Sequence, residues 1–195
     1  VNISFPYVAC VQMKIQCGDC NDALERLRAA LDLENYPENT LVVLPELWAT
    51  GFDYSQLTLL VEQTPRLLAA LQREAVERKL WFAGSFLEGQ SMGKPYNTLF
   101  LVGSEGVVGG YRKHHLFKSW QEDVHLCPGN EPRHMDSSFG SLGGLICYDL
   151  RFPEICRYHI FSGCHLIVIT AQWPLIRLDH WQTLVRARAI ESQAF

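Results

Sequence analysis

The sequence predicts one α/β or α+β layered domain across residues 1–195, and three observations carry that expectation. Short apolar runs of strand length alternate with segments whose apolar residues recur at helical spacing. Gly-, Ser- and Pro-bearing turns separate many of these segments. No internal repeat, low-complexity tract or linker divides the chain. A chain of this size buries about 70% of the surface its unfolded form exposes, which is enough for a core of its own.

Taken in order, residues 7–15 are rich in apolar and β-forming residues and predict a strand. In residues 19–33, Ala23, Leu24, Leu27, Ala30 and Leu31 fall on one helical stripe. Residues 40–44 form a continuous apolar run that Pro45 ends, because proline has no N–H to offer a sheet. Glu46 is thereby held at a strand exit. Residues 64–80 read as a helix with Leu67, Leu68, Leu71, Ala75 and Val76 on one face and Pro65 at a first helical position. Residues 80–86, 96–102 and 107–112 read as an antiparallel meander, divided by turns at 89–95 and 103–106. Residues 142–147 are a buried-strand candidate, and residues 152–161 a helix that opens on Pro153 and Glu154. Residues 165–170 predict a further strand. The final helix, residues 177–194, is expected to turn Leu178, Trp181, Leu184, Ala187 and Ile190 inward.

Composition narrows the function. With 17 Lys+Arg against 21 Asp+Glu the formal charge is −4, and no basic block provides a footprint for nucleic acid or an anionic membrane. A small-molecule partner is expected. No apolar run approaches the ~20 residues that span a bilayer, and the first residues do not have the basic-then-apolar order of a signal peptide. Seven cysteines, an odd number, fit a reducing, cytoplasmic compartment better than a disulfide framework. Cys17 and Cys20 form a CxxC, but no second CxxC and no HExxH accompanies it, so metal or redox work is the minor reading. His114 and His115, adjacent on an expected extended segment, should point to opposite faces. No metal and no cofactor is assigned.

Three residues suggest chemistry. Cys147 ends an apolar strand just before a helix, where a sharp turn would project the sulfur and the helix N-terminus would lower the thiol pKa. Its plain alternative is a small buried hydrophobe. Glu46, directly after a buried strand and Pro45, is costly unless paired or working, and is otherwise a helix-initial carboxylate. Lys113 closes the run from Gly109 and alone would be a surface lysine. Together they are a nucleophile, a base and an oxyanion stabiliser, each at a strand exit.

Leu44-Pro45-Glu46 with Thr50-Gly51-Phe52, the run from Tyr111 to Phe117 and the run from Ile146 to Glu154 resemble the carbon–nitrogen hydrolase (nitrilase) superfamily. Tyr96-Asn97-Thr98, Pro128-Gly129 and the run from Arg186 to Glu191 extend the resemblance over essentially the whole chain. It implies a four-layer αββα sandwich with Glu46, Lys113 and Cys147 as catalytic residues. The family's frequent second glutamate falls on Glu122, which would orient Lys113 and keep it charged, or else be an ordinary loop carboxylate. The Tyr148 backbone N–H would join Lys113 in stabilising an oxyanion.

The implied reaction is amide hydrolysis through a cysteine thioester, releasing ammonia and a carboxylic acid. Residues 170–174, His180-Trp181 and the run from Arg186 to Glu191 look like the amidase branch that includes omega-amidases acting on 2-oxoglutaramate and 2-oxosuccinamate. Another amidase, a carbamoylase, a nitrilase or a non-catalytic homologue is the alternative. Such substrates carry a carboxylate, for which Arg151 is the candidate partner, unless it pairs with Asp149 or Glu154. Phe52 and Trp173 are candidates for the pocket wall. The resemblance further implies a homodimer or larger assembly. It also implies strands beyond the run from Arg186 to Glu191, without which an unpaired sheet edge is expected.

Overall fold

In the computed structural model, which describes residues 7–195, two sheets pack face to face with helices on their outer sides. The first sheet joins, in sequence order, β1 (Val8–Cys10), β2 (Leu41–Val43), β3 (Trp81–Glu88), β4 (Tyr96–Gly103) and β5 (Gly106–Arg112). Its first three strands are parallel, and β3, β4 and β5 form the expected antiparallel meander. The second sheet joins β6 (Met135–Ser137), β7 (Gly140–Ile146) and β8 (Leu166–Thr170), with β7 and β8 parallel. Helices α1 (Cys20–Asp32) and α2 (Leu57–Arg78) cover the first sheet. Between the sheets in sequence lies the single turn α3 (Glu122–His125), while α4 (Pro153–Phe161) and α5 (Leu178–Ser192) cover the second sheet. The fold is the αββα sandwich.

Strand β2 shows why its run had to be continuously apolar. Side chains alternate across a pleated strand. Val42 joins the core beneath α1 and α2, while Leu41 and Val43 enter the core between the sheets. Helix α1 starts where Asp19 Oδ1 accepts the Asp22 N–H at 3.0 Å, and it buries Ala23, Leu24, Leu27 and Leu31. At Gly143 a methyl group would stand 2.7 Å from the His159 ring. That close approach of α4 lets His159 Nε2 reach the Gly144 carbonyl at 3.0 Å.

Several elements differ from expectation. The first strand is confined to Val8–Cys10 because its partner β2 ends at Val43, just ahead of Pro45. Helix α2 begins at Leu57, so Pro65 lies inside it. Leu60 and Thr64 are buried before the proline and Leu67, Ala70 and Leu71 after it, and this packing outweighs a cost of about 3 kcal/mol. Val76, about 140° around the helix from Leu71, is exposed. In α5, Leu178 and Ile190 are exposed and Arg188 is buried. The inward face runs through Trp181, Leu184, Val185 and Arg188, because the Arg188 guanidinium donates twice to Leu150 O, at 3.1 and 3.0 Å.

Candidate active site

Because β5 runs in the same direction as β3 and β2, the exits of β2 and β5 share one end of the first sheet. The exits of β7 and β8 likewise share one end of the second sheet. Glu46, Lys113, Cys147 and Gln172 follow these four strands and line one cavity. Crevices beyond the carboxyl ends of parallel strands are where α/β folds take their ligands.

Lys113 Nζ lies 2.7 Å from Glu46 Oε1 and 2.7 Å from Glu122 Oε1, with all three side chains buried. Burial alone would depress the lysine, but the two carboxylates outweigh it and hold the ammonium well above its ordinary pKa. Glu122 is therefore not an ordinary loop carboxylate. Its other oxygen accepts the Phe117 N–H at 2.7 Å, and burial raises its pKa, with Lys113 opposing and Glu46 reinforcing. Glu46 is held on several sides. Asn97 Nδ2 donates to Oε1 at 2.9 Å, the Gln172 N–H donates to Oε2 at 3.2 Å, and Gln172 Nε2 donates to the Glu46 carbonyl at 2.8 Å.

Cys147 has a φ of +45°, a left-handed conformation that costs a side-chain-bearing residue energy. The sharp turn between β7 and α4 is a 3₁₀ turn, Cys147–Arg151, that opens on the cysteine itself. Asp149, wholly buried in that turn, holds the bend in place. It accepts the Ile146 N–H at 3.2 Å, the Tyr111 hydroxyl at 2.8 Å and the His115 N–H at 2.8 Å. One carboxylate thus ties the cysteine's turn to the segment that carries Lys113. His114 and His115 do not point apart on an extended segment. The chain bends there, and their rings meet 5.3 Å apart.

The expected lowering of the Cys147 pKa is reversed. Burial pushes the thiol well up, and the Glu46 charge adds to this, while Lys113 opposes it with a weaker effect. The protonated sulfur instead donates to Gln172 O at 3.6 Å.

The cavity measures about 370 Å³ including the space open at its mouth, and Tyr148, Arg151 and Trp173 line it. Phe52 does not. Its ring packs edge-on against Trp120 at 5.1 Å, so it stands behind the wall that Trp120 forms. Arg151 pairs with neither Asp149 nor Glu154. Its guanidinium lies 4.9 Å from the centre of the Trp173 ring, and Nη2 is 3.3 Å from His180 Nδ1. Asn97, Asp149, Gln172 and Arg177 were not assigned roles from the sequence. Asn97 and Asp149 lie inside motifs singled out above, but nothing local distinguishes an asparagine that holds Glu46 from one that caps a turn. Cys17 and Cys20 are free thiols. Among the described residues no cluster of His, Cys, Asp or Glu is arranged to hold a metal.

Known proteins resemble this chain in sequence and in fold. The carbon-nitrogen hydrolase family profile matches residues 7–195. A 2-oxoglutaramate amidase of Bacillus subtilis is 35% identical over 190 residues, covering 96% of this chain and 73% of its own length. A second protein so named, from Paenarthrobacter nicotinovorans, is 38% identical over 202 residues, covering 96% and 68%. A CN-hydrolase superfamily protein from Xanthomonas campestris, with an arsenic adduct in its active site, superposes with a TM-score of 0.86 at 27% identity, over 96% of this chain and 72% of its own. Sequence and fold agree, and the chain belongs to the carbon–nitrogen hydrolase family.

Proposed function

We propose that the chain is an omega-amidase-like hydrolase that cleaves the terminal amide of a 2-oxo dicarboxylic acid monoamide through a Glu46-Lys113-Cys147 triad. The observation that carries this reading is the Lys113 ammonium, held 2.7 Å from Glu46 beside a buried thiol that lines the same cavity. The similarity to 2-oxoglutaramate amidases supports the substrate class.

Since the resting thiol is protonated, its proton must leave as the bond forms. Glu46 takes the proton from Sγ while sulfur attacks the amide carbon, and the carbonyl electrons move onto oxygen. Lys113 and the Tyr148 N–H, which has no carbonyl partner within its own 3₁₀ turn, stabilise that oxyanion. Collapse breaks the carbon–nitrogen bond, and protonated Glu46 returns its proton to the departing ammonia, leaving a thioester. Glu46 then takes a proton from water, the resulting hydroxide adds to the thioester, and the thiolate leaves with that proton restored to sulfur. Glu122 orients Lys113 and keeps it charged. Arg151 faces the substrate's carboxylate, and Trp173 lines the acyl chain.

The same reading makes the chain a homodimer in a reducing compartment. Exposed Leu175, Ile176 and Ile190 around α5 support the dimer, and seven free cysteines support the compartment. No helix among the described residues is long and apolar enough to cross a membrane. Ammonia release from 2-oxoglutaramate, glutaramate and pentanamide, compared with Cys147→Ala, tests the proposal. Release from the oxo acid amide that disappears in the variant supports it, and release that persists in Cys147→Ala ends it.

A further inference from the structure

We propose that Arg177 joins Arg151 to form an anion subsite at the cavity mouth, which selects amides whose acyl chain ends in a carboxylate and orients them. This rests on reading the site as an amidase. Arg177 was not a sequence candidate, yet it lines the same cavity as Cys147. Among the described residues neither guanidinium is paired with a carboxylate, whereas Arg112 and Arg188 are paired with Glu88 and Glu191. The two arginines are coupled through one side chain. The Arg151 guanidinium lies over the Trp173 ring, and Trp173 Nε1 donates to the Arg177 carbonyl at 2.8 Å, so the indole fixes the backbone of one arginine and seats the charge of the other.

Charge is therefore segregated within the cavity. Glu46, Lys113 and Glu122 are buried, while Arg177 is exposed and Arg151 partly so. An amide with a carboxylate at its far end fits this arrangement in one direction. The carboxylate meets two forked donors at the mouth, and the neutral amide reaches Cys147. Reversed, the carboxylate would face Glu46 and Glu122. A neutral acyl chain has no such preference.

The test uses the ratio of kcat/KM for glutaramate to that for pentanamide, in the wild type, Arg177→Ala and Arg177→Lys. The Arg177 contact to Trp173 is made by its backbone, so the substitutions keep it. Arg177→Ala is expected to lower the ratio about 10–100-fold through KM, the size of a lost hydrogen bond to a charged group. Arg177→Lys should recover part of it. An unchanged ratio overturns the inference, as does an equal loss on both amides. Glutaramate binding to Cys147→Ala, with and without Arg177→Ala, separates this inference from the amidase reading. Weaker binding in the double variant upholds the subsite even if no amide is hydrolysed. Binding that Arg177→Ala leaves unchanged, or no binding at all, overturns it.

Discussion

Lys113 Nζ and Glu46 Oε1 stand 2.7 Å apart where both side chains are almost entirely closed to solvent. Neither charge would be stable there alone. The pair, completed by Glu122, places a fixed positive charge beside a thiol that must lose a proton to react. Replacing Lys113 by Met would leave two carboxylates facing each other without their counter-ion. The expected result is a loss of about 3–5 kcal/mol in urea denaturation, with ammonia release lowered at least ~100-fold. A Lys113→Met protein as stable as the wild type would show that the carboxylates do not depend on the lysine.

Asp149 acts on the same site from a distance. Asp149→Asn exchanges one accepting oxygen for a donor in a pocket already filled by the N–H groups of Ile146 and His115 and the Tyr111 hydroxyl. The turn carrying Cys147 should shift, and kcat should fall on the order of 100-fold for a displacement of roughly 1 Å. Tyr111→Phe removes one donor and should cost about 1–3 kcal/mol. Wild-type kcat in Asp149→Asn would remove Asp149 from the account of how the nucleophile is positioned.

Stability should fall at alkaline pH. Burial pushes Cys156 and Cys164 up to about 11 and also raises Cys147 and Tyr111 well above their ordinary values. The folded protein keeps these protons above about pH 8.5, where unfolded thiols begin to lose them. Their stabilising contribution is full below that value and declines as pH rises toward 11. The urea midpoint is expected to drop between pH 8 and 10.5, and a midpoint that held steady or rose would contradict this.

An acid counterpart lies away from the cavity. Glu74 is buried, which opposes its ionisation, but Arg28 at 2.7 Å and Arg78 at 2.9 Å hold its carboxyl below the ordinary value. That contribution is present above about pH 4.3 and is lost as pH falls through the lower folded value. Glu74→Gln should cost about 1–3 kcal/mol at neutral pH and flatten the acid limb of the stability profile. Ammonia release should be unchanged. A variant that kept its stability and lost activity would reverse this assignment.

What could be read locally was read correctly where one physical cause dominated. The continuous apolar run of residues 40–44 and Pro45 place Glu46 at a strand exit, and the stripe through Ala23, Leu27 and Leu31 can be buried only as a helix face. The motifs around Glu46, Lys113 and Cys147 were legible through their resemblance to the carbon–nitrogen hydrolase family, each being a short run at the end of one strand. Local reasoning failed where two causes competed. A helix N-terminus argues for a depressed Cys147 thiol, but desolvation argues the other way, and desolvation depends on what the folded chain stacks around the sulfur. Periodicity in α5 names apolar residues but not the side that faces inward, which the Arg188 bonds to Leu150 settle. Gln172 holds Glu46 across a separation of 126 residues, and Asp149 holds His115 across 34. No window along the chain contains both members of either pair. Identity and order along the chain established which groups arrive at strand ends, whereas the packing of one sheet on the other decided which of them meet and at what charge.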